Sequence, residues 1–328
     1  MKIVLFGMDY YNYTNSIRVA LEALGHNVLM SLDDGLGGKS ETLKKEKHKM
    51  INFKPDVFIN FCGNYKYNLI DADFLNNILG KKVLMYADAI KFVGDVEQNI
   101  PIYDKVYVFE PSDIELLKEK YSIDAMISYA SVAEEIFCKN YKDIQPIYDL
   151  SFVGFMTDER LCFFEKVAKY ANENNLKMVV FGHFWHNKHW WQPFFAKRRF
   201  AKKYPNLVKY AQNRYIQPEE AAFLYKRTKI CLNKHIDRHQ GMGSRTFEIM
   251  ANDNFCLCDE RIQAKEYGLI DDRNIVFYKD VGDCIKKIEY YLANDNVREK
   301  IATNGGELVR KKYTTRAIMQ NLLEEIFK

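Results

Sequence analysis

The sequence predicts an α/β protein made of two consecutive halves, each with a parallel β-sheet covered by helices. Short apolar runs typical of buried strands alternate with segments whose apolar residues recur at i, i+3 and i+4, the spacing of a helix face. This alternation breaks off near the middle of the chain and then begins again. Parallel strands need long crossover connections, usually helices, so a strand–helix pattern that occurs twice indicates two α/β domains.

The composition limits both the class and the location of the protein. The chain has 328 residues, of which 48% are hydrophobic, enough to fill the cores of two domains. Its net charge of +4 excludes a polyelectrolyte character, so any attraction to anions has to be local. The seven cysteines show no paired spacing, no apolar run approaches the ~20 residues of a membrane span, and Met1–Gly7 is too short for a signal peptide. We therefore expect a cytoplasmic protein.

The first half contains six predicted strands with helices between them. The strands are Lys2–Gly7, His26–Ser31, Asp56–Phe61, Lys82–Tyr86, Lys105–Phe109 and Ala125–Tyr129. The helices are Thr14–Leu24, Lys39–Met50, Leu69–Leu79 and Ser112–Tyr121. Gly7 ends the first strand without a G-x-G-x-x-G pattern, so the dinucleotide-binding fingerprint is missing.

Two aspartates follow strands of the first half. Asp9 comes after the first strand and Asp88 after the fourth. Open α/β sheets bind ligands at the carboxyl ends of their strands, so either residue is a candidate general base, with a cap or loop role as the alternative.

The second half begins after an aperiodic segment that contains Pro146. Its predicted strands are Leu150–Phe155, Met178–Gly182, Lys229–Asn233, Phe255–Cys258 and Asn274–Tyr278. Its predicted helices are Asp158–Asn172, Pro218–Arg227, Ser244–Ala251, Val281–Leu292, Asn296–Lys311 and Thr314–Phe327. This divides the chain into a first domain (1–130), a linker (131–148), a second domain (149–312) and a C-terminal helix (313–328).

The stretch Lys229–Asp259 reads as strand, loop, helix and strand, and it contains the main candidate site. Ser244 can cap the helix, whose free N–H groups suit a phosphate, and Arg245 in the first turn can add a bidentate clamp. Glu248 follows one turn later and can accept two hydrogen bonds from a diol such as a ribose. The residues alone favour the alternative that Arg245 and Glu248 form a surface ion pair at i, i+3.

The segment Gly182–Ile216 holds all three tryptophans, three histidines and a run of lysines and arginines. The spacing of His183, His186 and His189 fits no common zinc pattern, and His235 and His239 lack the glutamate of H-E-x-x-H, so we expect no metal site. Aromatic and basic residues occur together in three kinds of segment. One is a packed excursion, meaning an insertion that packs its aromatic side chains on the domain and exposes its basic ones to solvent; the others are a membrane-binding surface and a nucleic-acid-binding surface. We prefer the packed excursion, then peripheral membrane contact through residues 184–203, and expect no nucleic acid because the rest of the chain is not basic.

Several stretches resemble the CgeB-like, or spore maturation protein-like, branch of the group 1 glycosyltransferases. The matching stretches are Ser151–Phe155 (SFVGF), Ile230–Asn233 (ICLN), Ser244–Ala251 (SRTFEIMA) and Arg298–Arg316, with looser matches at Lys54–Ile59 and Tyr103–Phe109. The resemblance covers nearly the whole chain and is strongest from Ser151 onward.

The resemblance implies the GT-B fold, with two Rossmann-like domains that face each other across a cleft. A nucleotide-sugar donor would bind mainly to the second domain and the acceptor to the first, and the last helix would cross back to the first. The implied donor-binding residues are Gly182, Gln240, Gly243, Ser244, Arg245, Thr246 and Glu248. Glu248 would hold the ribose, and Gln240 stands where related retaining enzymes carry a glutamate.

The function that we expect is metal-independent transfer of a sugar to a glycan, lipid-linked or protein acceptor, such as a precursor of a cell-surface polysaccharide. Lys234, Arg245 and the helix N-terminus would stabilise the departing diphosphate, and no D-x-D motif occurs in the Lys229–Asp259 stretch. An inverting reaction would use Asp9 or Asp88 as the base, and a retaining reaction would need none. The alternatives are a nucleotide-sugar epimerase and a degenerate GT-B module that binds a nucleotide without catalysis.

Overall fold

The computed structural model describes residues 1–7, 12–32, 40–61, 70–90, 99–128, 130–139, 141, 144–185 and 193–328. Its strands are β1 (Lys2–Gly7), β2 (Asn27–Leu32), β3 (Val57–Phe61), β4 (Lys81–Met85), β5 (Lys105–Val108), β6 (Ala125–Ile127), β7 (Tyr148–Val153), β8 (Met178–Gly182), β9 (Ala211–Asn213), β10 (Thr228–Asn233), β11 (Cys256–Asp259) and β12 (Val276–Tyr278).

The helices of the described residues follow the same order along the chain. They are α1 (Tyr13–Ala23), α2 (Ser40–Asn52), α3 (Ala72–Asn76), α4 (Ser112–Tyr121), α5 (Glu134–Phe137), α6 (Asp158–Glu173), α7 (Pro193–Lys203), α8 (Pro218–Lys226), α9 (Ser244–Met250), α10 (Val281–Ala293), α11 (Asp295–Lys312) and α12 (Thr315–Ile326).

The chain divides into two compact units. The first unit comprises Met1–Ala133, His239–Gly241 and Lys312–Lys328, and the second comprises Glu134–Arg238 and Met242–Lys311. Each unit contains one parallel sheet of six described strands with helices packed on it. The predicted α/β class, with a parallel sheet in each half, is thereby confirmed.

The sheet of the first unit has the strand order β2-β1-β3-β4-β5-β6. Successive residues of β1 point to opposite faces, so Val4 belongs to one buried cluster and Leu5 to another. The Leu5 cluster includes Leu21 of α1 and Leu323 of α12, which cover that face. Burial on both faces explains why these strands appear in the sequence as continuous apolar runs.

The sheet of the second unit has the order β12-β11-β10-β7-β8-β9, with all neighbours parallel. Numbered within this unit, the order is 3-2-1-4-5-6 read from the β9 edge, the arrangement of dinucleotide-binding folds. The connections reverse direction between β7 and β10, and ligands of open α/β sheets bind beside the carboxyl ends of the strands at such a reversal.

The structure differs from the sequence-based elements in several places. The predicted linker contains α5, in which Ile136 and Phe137 are buried. The predicted excursion contains α7 and β9, and a strand of three residues is too short to show an alternating pattern. The helix expected at Leu69–Leu79 is only α3, because the side chain of Asp71 caps the N–H of Phe74 at 2.8 Å and fixes the start of the helix after Asp71.

Candidate functional site

Arg160 connects the two strands at which the second sheet reverses its order. It is the third residue of α6, which follows β7, and its side chain is nearly buried. Its guanidinium donates to the carbonyl oxygen of Phe155 at 2.6 Å and to that of Lys234, directly after β10, at 2.7 Å. The backbone after β7 and the backbone after β10 are therefore held together by one cation.

Positive charge is concentrated around Arg160. Burial lowers the pKa of Arg160 to about 10, the Asp259 carboxylate acts in the opposite direction, and the charges of Arg245 and Arg261 add to the lowering. Cations that disfavour each other's charged forms are stabilised by a bound anion. The carboxyl edge at β7 and β10 is thus electrostatically suited to a phosphate group.

Lys234 and Arg261 share one carboxylate of this edge. The Asp259 carboxylate lies 2.7 Å from Arg261 Nη2 and 3.4 Å from Lys234 Nζ, and Lys234 also pairs with Asp237. Burial favours the neutral acid, but hydrogen bonds from His235 and the charge of Arg261 outweigh this effect and hold the pKa of Asp259 far below its usual value. Asp259 is therefore the charged centre that fixes both cations.

A pocket of about 310 Å³ opens beside these residues, at the carboxyl ends of β10, β11 and β12. Its lining is almost entirely charged and consists of Lys234, Asp237, Asp259, Glu260, Arg261, Asp271, Phe277, Tyr278, Lys279 and Lys287. Side chains of both signs line it, so it suits a ligand with an anionic group and with hydroxyl groups that donate to carboxylates.

The helix that carries Arg245 and Glu248 begins with Gly243 at the N-cap, which corrects the expected cap at Ser244. Gly243 has an extended backbone and makes no side-chain cap, and Ser244 is the first helical residue. Arg245 Nη1 donates to Glu248 Oε2 at 2.7 Å and to the hydroxyl of Tyr225 at 2.9 Å. The ion pair named as the alternative is formed, with Arg245 at the surface (33% of its side chain exposed) and Glu248 buried beneath it (7% exposed).

Thr246 and Gly182 have structural contacts that account for their identities. Thr246 has no exposed surface, and its hydroxyl accepts a hydrogen bond from Asn233 at 3.0 Å and lies 3.3 Å from His235 Nε2. A side chain on Gly182, the last residue of β8, would lie 2.6 Å from the carbonyl oxygen of Gly154. Only glycine allows these two backbone segments to approach so closely.

Glu110 is a buried carboxylate of the first unit that sequence reasoning did not identify. It follows β5, has no exposed surface, and accepts hydrogen bonds from the backbone N–H groups of Gln240, at 3.0 and 3.1 Å, and of Gly241, at 3.2 Å. Its Oε1 also lies 3.0 Å from His239 Nδ1. Burial alone would raise the pKa of Glu110, but these hydrogen bonds lower it below the usual value.

Three further residues of the first unit were candidates in the sequence: Gln240 for donor binding, and Asp88 and Asp9 as general bases. Gln240 is bound through its backbone, and the residue as a whole is exposed. Asp88 lies after β4, caps the N–H of Ala89 at 2.8 Å, and approaches His239 Nε2 to 3.8 Å. Asp9 lies outside the described residues.

Among the described residues, no three His, Cys, Asp or Glu side chains are grouped as metal ligands, and His183 is exposed. His186 and His189 lie outside the described residues. No described helix has the length and apolar character needed to cross a bilayer.

One of the residues that sequence reasoning passed over had a detectable signal. Arg160 is a cation in the first turn of a helix, where the helix dipole disfavours it, and such a broken local rule often indicates function. Tyr225 and Glu110 had no comparable signal, because an ordinary helical tyrosine and a carboxylate after a strand show their roles only when the chain is folded.

The fold of this chain, with one parallel sheet in each unit, is similar to those of several solved structures. A glycosyltransferase from Rickettsia africae has a TM-score of 0.70 and 13% identity, covering 100% of this chain and 98% of its own. A sucrose-phosphate synthase from Thermosynechococcus elongatus has a TM-score of 0.65 and 14% identity, covering 100% and 99%. Anabaena HepE, in complex with UDP and glucose, has a TM-score of 0.66 and 10% identity, covering 99% of both chains.

These similarities confirm the predicted GT-B fold class, and the sequence identifies the family. The sequence model of the family "glycosyl transferase-like" matches residues 160–324, just over half of the chain. The chain therefore belongs to the glycosyl transferase-like family. A search of curated proteins gave no match. The family match is broader than the CgeB-like branch, so membership of that branch stays a prediction.

Proposed function

We propose that this protein transfers a sugar, as a hexosyltransferase, from a nucleotide-sugar to a hydroxyl group of an acceptor. The observation that carries the proposal is the cluster of Arg160, Lys234, Arg245 and Arg261 near the strand reversal of the second sheet, in a chain of the glycosyl transferase-like family. The difficult part of sugar transfer is the departure of a diphosphate that gains negative charge. Fixed cations aimed at such a charge lower the barrier, because they need no reorganisation during the reaction.

In this proposal the donor binds to the second unit through two kinds of contact. Arg245 and Lys234 meet the diphosphate, and Glu248 accepts hydrogen bonds from the ribose diol. The ion pair of Arg245 with Glu248 supports this assignment, since it fixes the carboxylate before the ligand arrives. HepE was solved with UDP and with UDP-glucose, so UDP-sugars are the first donors to test.

Metal independence is part of the proposal. Guanidinium and ammonium groups would neutralise the leaving diphosphate in the role that a divalent cation has in other enzymes. Donor binding and turnover should then be unchanged by EDTA.

The experiment that tests the function is a thermal-shift screen against UDP-, GDP-, ADP-, CMP- and TDP-sugars, with and without EDTA. A donor at 100 times its dissociation constant adds about 2.7 kcal/mol to the free energy of unfolding. A selective shift that EDTA does not change, followed by transfer to an acceptor, is the expected result. Isomerisation of the donor sugar without an acceptor would identify an epimerase, and binding without any turnover would identify a degenerate module.

The acceptor that we propose is a lipid-linked glycan or a precursor of a surface polysaccharide, reached by peripheral contact with the cytoplasmic membrane face. The support is α7, which has no acidic residue and carries Phe195 with 57% of its surface exposed. Its exposed cations are Lys197, Arg198, Arg199, Lys202 and Lys203. Basic side chains and an exposed aromatic ring on one helix suit an anionic bilayer surface.

Vesicle binding tests this contact. Each neutralised cation should weaken binding to anionic vesicles by about 1 kcal/mol, so glutamine at Arg198, Arg199, Lys202 and Lys203 should abolish measurable binding. The control carries glutamine at four exposed lysines of the same unit, Lys265, Lys286, Lys300 and Lys311. Equal binding of both variants would remove the membrane contact from the proposal.

A further inference from the structure

We propose that the charged pocket, the cavity of about 310 Å³ at the carboxyl ends of β10, β11 and β12, binds the sugar ring of the nucleotide-sugar donor. In this inference Glu260 and Lys279 are the residues that select the sugar. The inference rests on the proposed function, which assigns residues to the diphosphate and the ribose of the donor but none to its sugar. Lys234 is the one residue of the pocket that was a candidate in the sequence.

The charged pocket lies where the sugar of a bound donor has to be. Lys234 lines the pocket and is also one of the two residues assigned to the diphosphate. The sugar of a nucleotide-sugar is bonded directly to this diphosphate, so a donor held by Lys234 has its sugar beside the pocket. Ligand pockets range from about 300 to 1,000 Å³, and a pocket at the lower end of this range suits one sugar ring better than a whole nucleotide.

The charges that line the pocket balance one another, which favours a neutral ligand with many hydroxyl groups. A phosphate group placed here would meet carboxylates that repel it. A sugar hydroxyl, in contrast, can donate a hydrogen bond to a carboxylate and accept one from a cation at the same time. The cations are Lys234, Arg261, Lys279 and Lys287, and the carboxylates are Asp237, Asp259, Glu260 and Asp271.

The charged side chains on the β10 side of the pocket fix one another. The Asp259 carboxylate lies 2.7 Å from Arg261 Nη2 and 3.4 Å from Lys234 Nζ. Asp237 pairs with the same two cations and lies 3.7 Å from Arg261 Nη2. A ligand that contacts this wall therefore has to order few side chains when it binds.

The charged side chains on the β12 side are fixed by the backbone of Phe277. Its N–H group donates to Asp271 Oδ1 at 2.8 Å, and its carbonyl oxygen accepts a hydrogen bond from Lys287. Lys287 Nζ also lies 3.8 Å from the Asp271 carboxylate. This wall too is organised by the protein itself.

Glu260 and Lys279 differ from the other charged residues of the pocket. Both are exposed, and neither side chain forms a salt bridge with any residue that the structure describes. They are neighbours in the sheet, because Asp259 pairs with Tyr278 and each of the two is the next residue along its strand. A carboxylate and an ammonium group side by side can hold two hydroxyl groups of one sugar ring, as acceptor and as donor.

Two rival explanations make different predictions. If Glu260 and Lys279 are only solvated surface charges, their removal changes the affinity for no ligand. If they support the structure of the edge, their removal weakens the binding of nucleotides with and without a sugar alike. A sugar-selecting role predicts a loss that is confined to the nucleotide-sugar.

The test is isothermal titration calorimetry with the nucleotide-sugar selected by thermal shift and with the matching nucleoside diphosphate, which has no sugar. The variants are Glu260→Ala and Lys279→Ala, with Glu266→Ala and Lys286→Ala as controls at exposed positions of the same unit outside the pocket. We expect each pocket variant to bind the nucleotide-sugar about 10-fold more weakly than wild type, because a hydrogen bond to a charged group is lost. Binding of the nucleoside diphosphate should be unchanged, and both controls should bind both ligands like wild type.

Donor analogues that each lack one hydroxyl group of the sugar identify the contact itself. At least one analogue should bind wild type about 10-fold more weakly than the parent donor and should bind Glu260→Ala as well as the parent does. Losses that simply add in every combination would show that Glu260 contacts none of these hydroxyl groups.

The outcomes separate this assignment from the proposed function. If wild type binds and transfers the sugar while the pocket variants bind both ligands like wild type, or lose both alike, the assignment is overturned and the function stands. A higher KM for the acceptor octyl glucoside with unchanged donor affinity would also overturn it, because the pocket would then hold a sugar of the acceptor. If wild type binds no nucleotide-sugar, the proposed function fails, and the assignment fails with it.

Discussion

Two histidines that stand four residues apart in the sequence, His235 and His239, each contact a carboxylate, yet their surroundings differ. His235 belongs to the second unit, with Nδ1 2.9 Å from Asp259 and Nε2 3.3 Å from Thr246 Oγ1. His239 belongs to the first unit, with Nδ1 3.0 Å from Glu110 and Nε2 3.8 Å from Asp88. The group beside Nε2 therefore differs between the two rings: it is a threonine hydroxyl for His235 and a carboxylate for His239.

The electrostatic settings of the two carboxylates differ as well. Asp259 has Arg261 and Lys234 beside it, so its charge is shared between His235 and two cations. Glu110 receives backbone N–H groups and His239, and its charge is directed mainly at the ring. The two histidine–carboxylate pairs therefore differ mainly in the charged groups around the carboxylate.

The largest expected effect comes from removing the carboxylate of the second unit. Asp259→Ala leaves Arg261 and Lys234, both mostly buried, without their shared anion, and breaking such a network costs about 3 kcal/mol or more of the free energy of unfolding. Urea denaturation followed by circular dichroism measures this loss. His239→Gln should stay within about 1 kcal/mol of wild type, because glutamine still donates to Glu110. Equal losses in the two variants would break the distinction between the pairs.

Glu248 is a buried carboxylate of the second unit that is paired with Arg245. If it holds the donor ribose by charged hydrogen bonds, Glu248→Ala should weaken donor binding by about 1–3 kcal/mol. Isothermal titration calorimetry measures this change, with Glu266→Ala, an exposed glutamate of the same unit, as the control. Unchanged affinity in a folded Glu248→Ala protein would leave the residue a purely structural role as the partner of Arg245.

The smallest effect is a dependence of stability on pH. The pKa of Asp259 and that of Glu110 lie below their usual values in the folded chain. Their contribution is therefore complete above the unfolded values of about 4 and is lost as the pH falls through the folded values, a change on the order of 1 kcal/mol between pH 5 and pH 3. Asp259→Asn should flatten this part of the stability curve, measured by urea titration at each pH. A curve as steep as that of wild type would show that other carboxylates dominate.

Most of the fold could be predicted because its signals are local. The strands Lys2–Gly7 and Met178–Gly182 were predicted with the bounds that β1 and β8 have in the structure, since each is a continuous apolar run that ends in glycine. Arg245 and Glu248 were placed on one helix face for the same reason, because three residues make nearly one turn.

The rest of the candidate site depends on contacts between distant parts of the sequence. Glu110 and His239 are 129 residues apart, and no local pattern shows that they meet. Arg160 and Lys234 are 74 residues apart and meet through a backbone carbonyl group, a contact that does not depend on the identity of residue 234. Such pairings become visible only when the topology of the sheets is known.

The contact of Arg160 with the carbonyl oxygens of Phe155 and Lys234 has a thermodynamic consequence. These hydrogen bonds fix the backbone after β7 and after β10 as part of the fold itself. A ligand that binds beside them loses less affinity to the conformational entropy of loop ordering, because that cost falls on folding instead. The heat of donor binding at this edge should therefore reflect contacts with the ligand more than reorganisation of the protein.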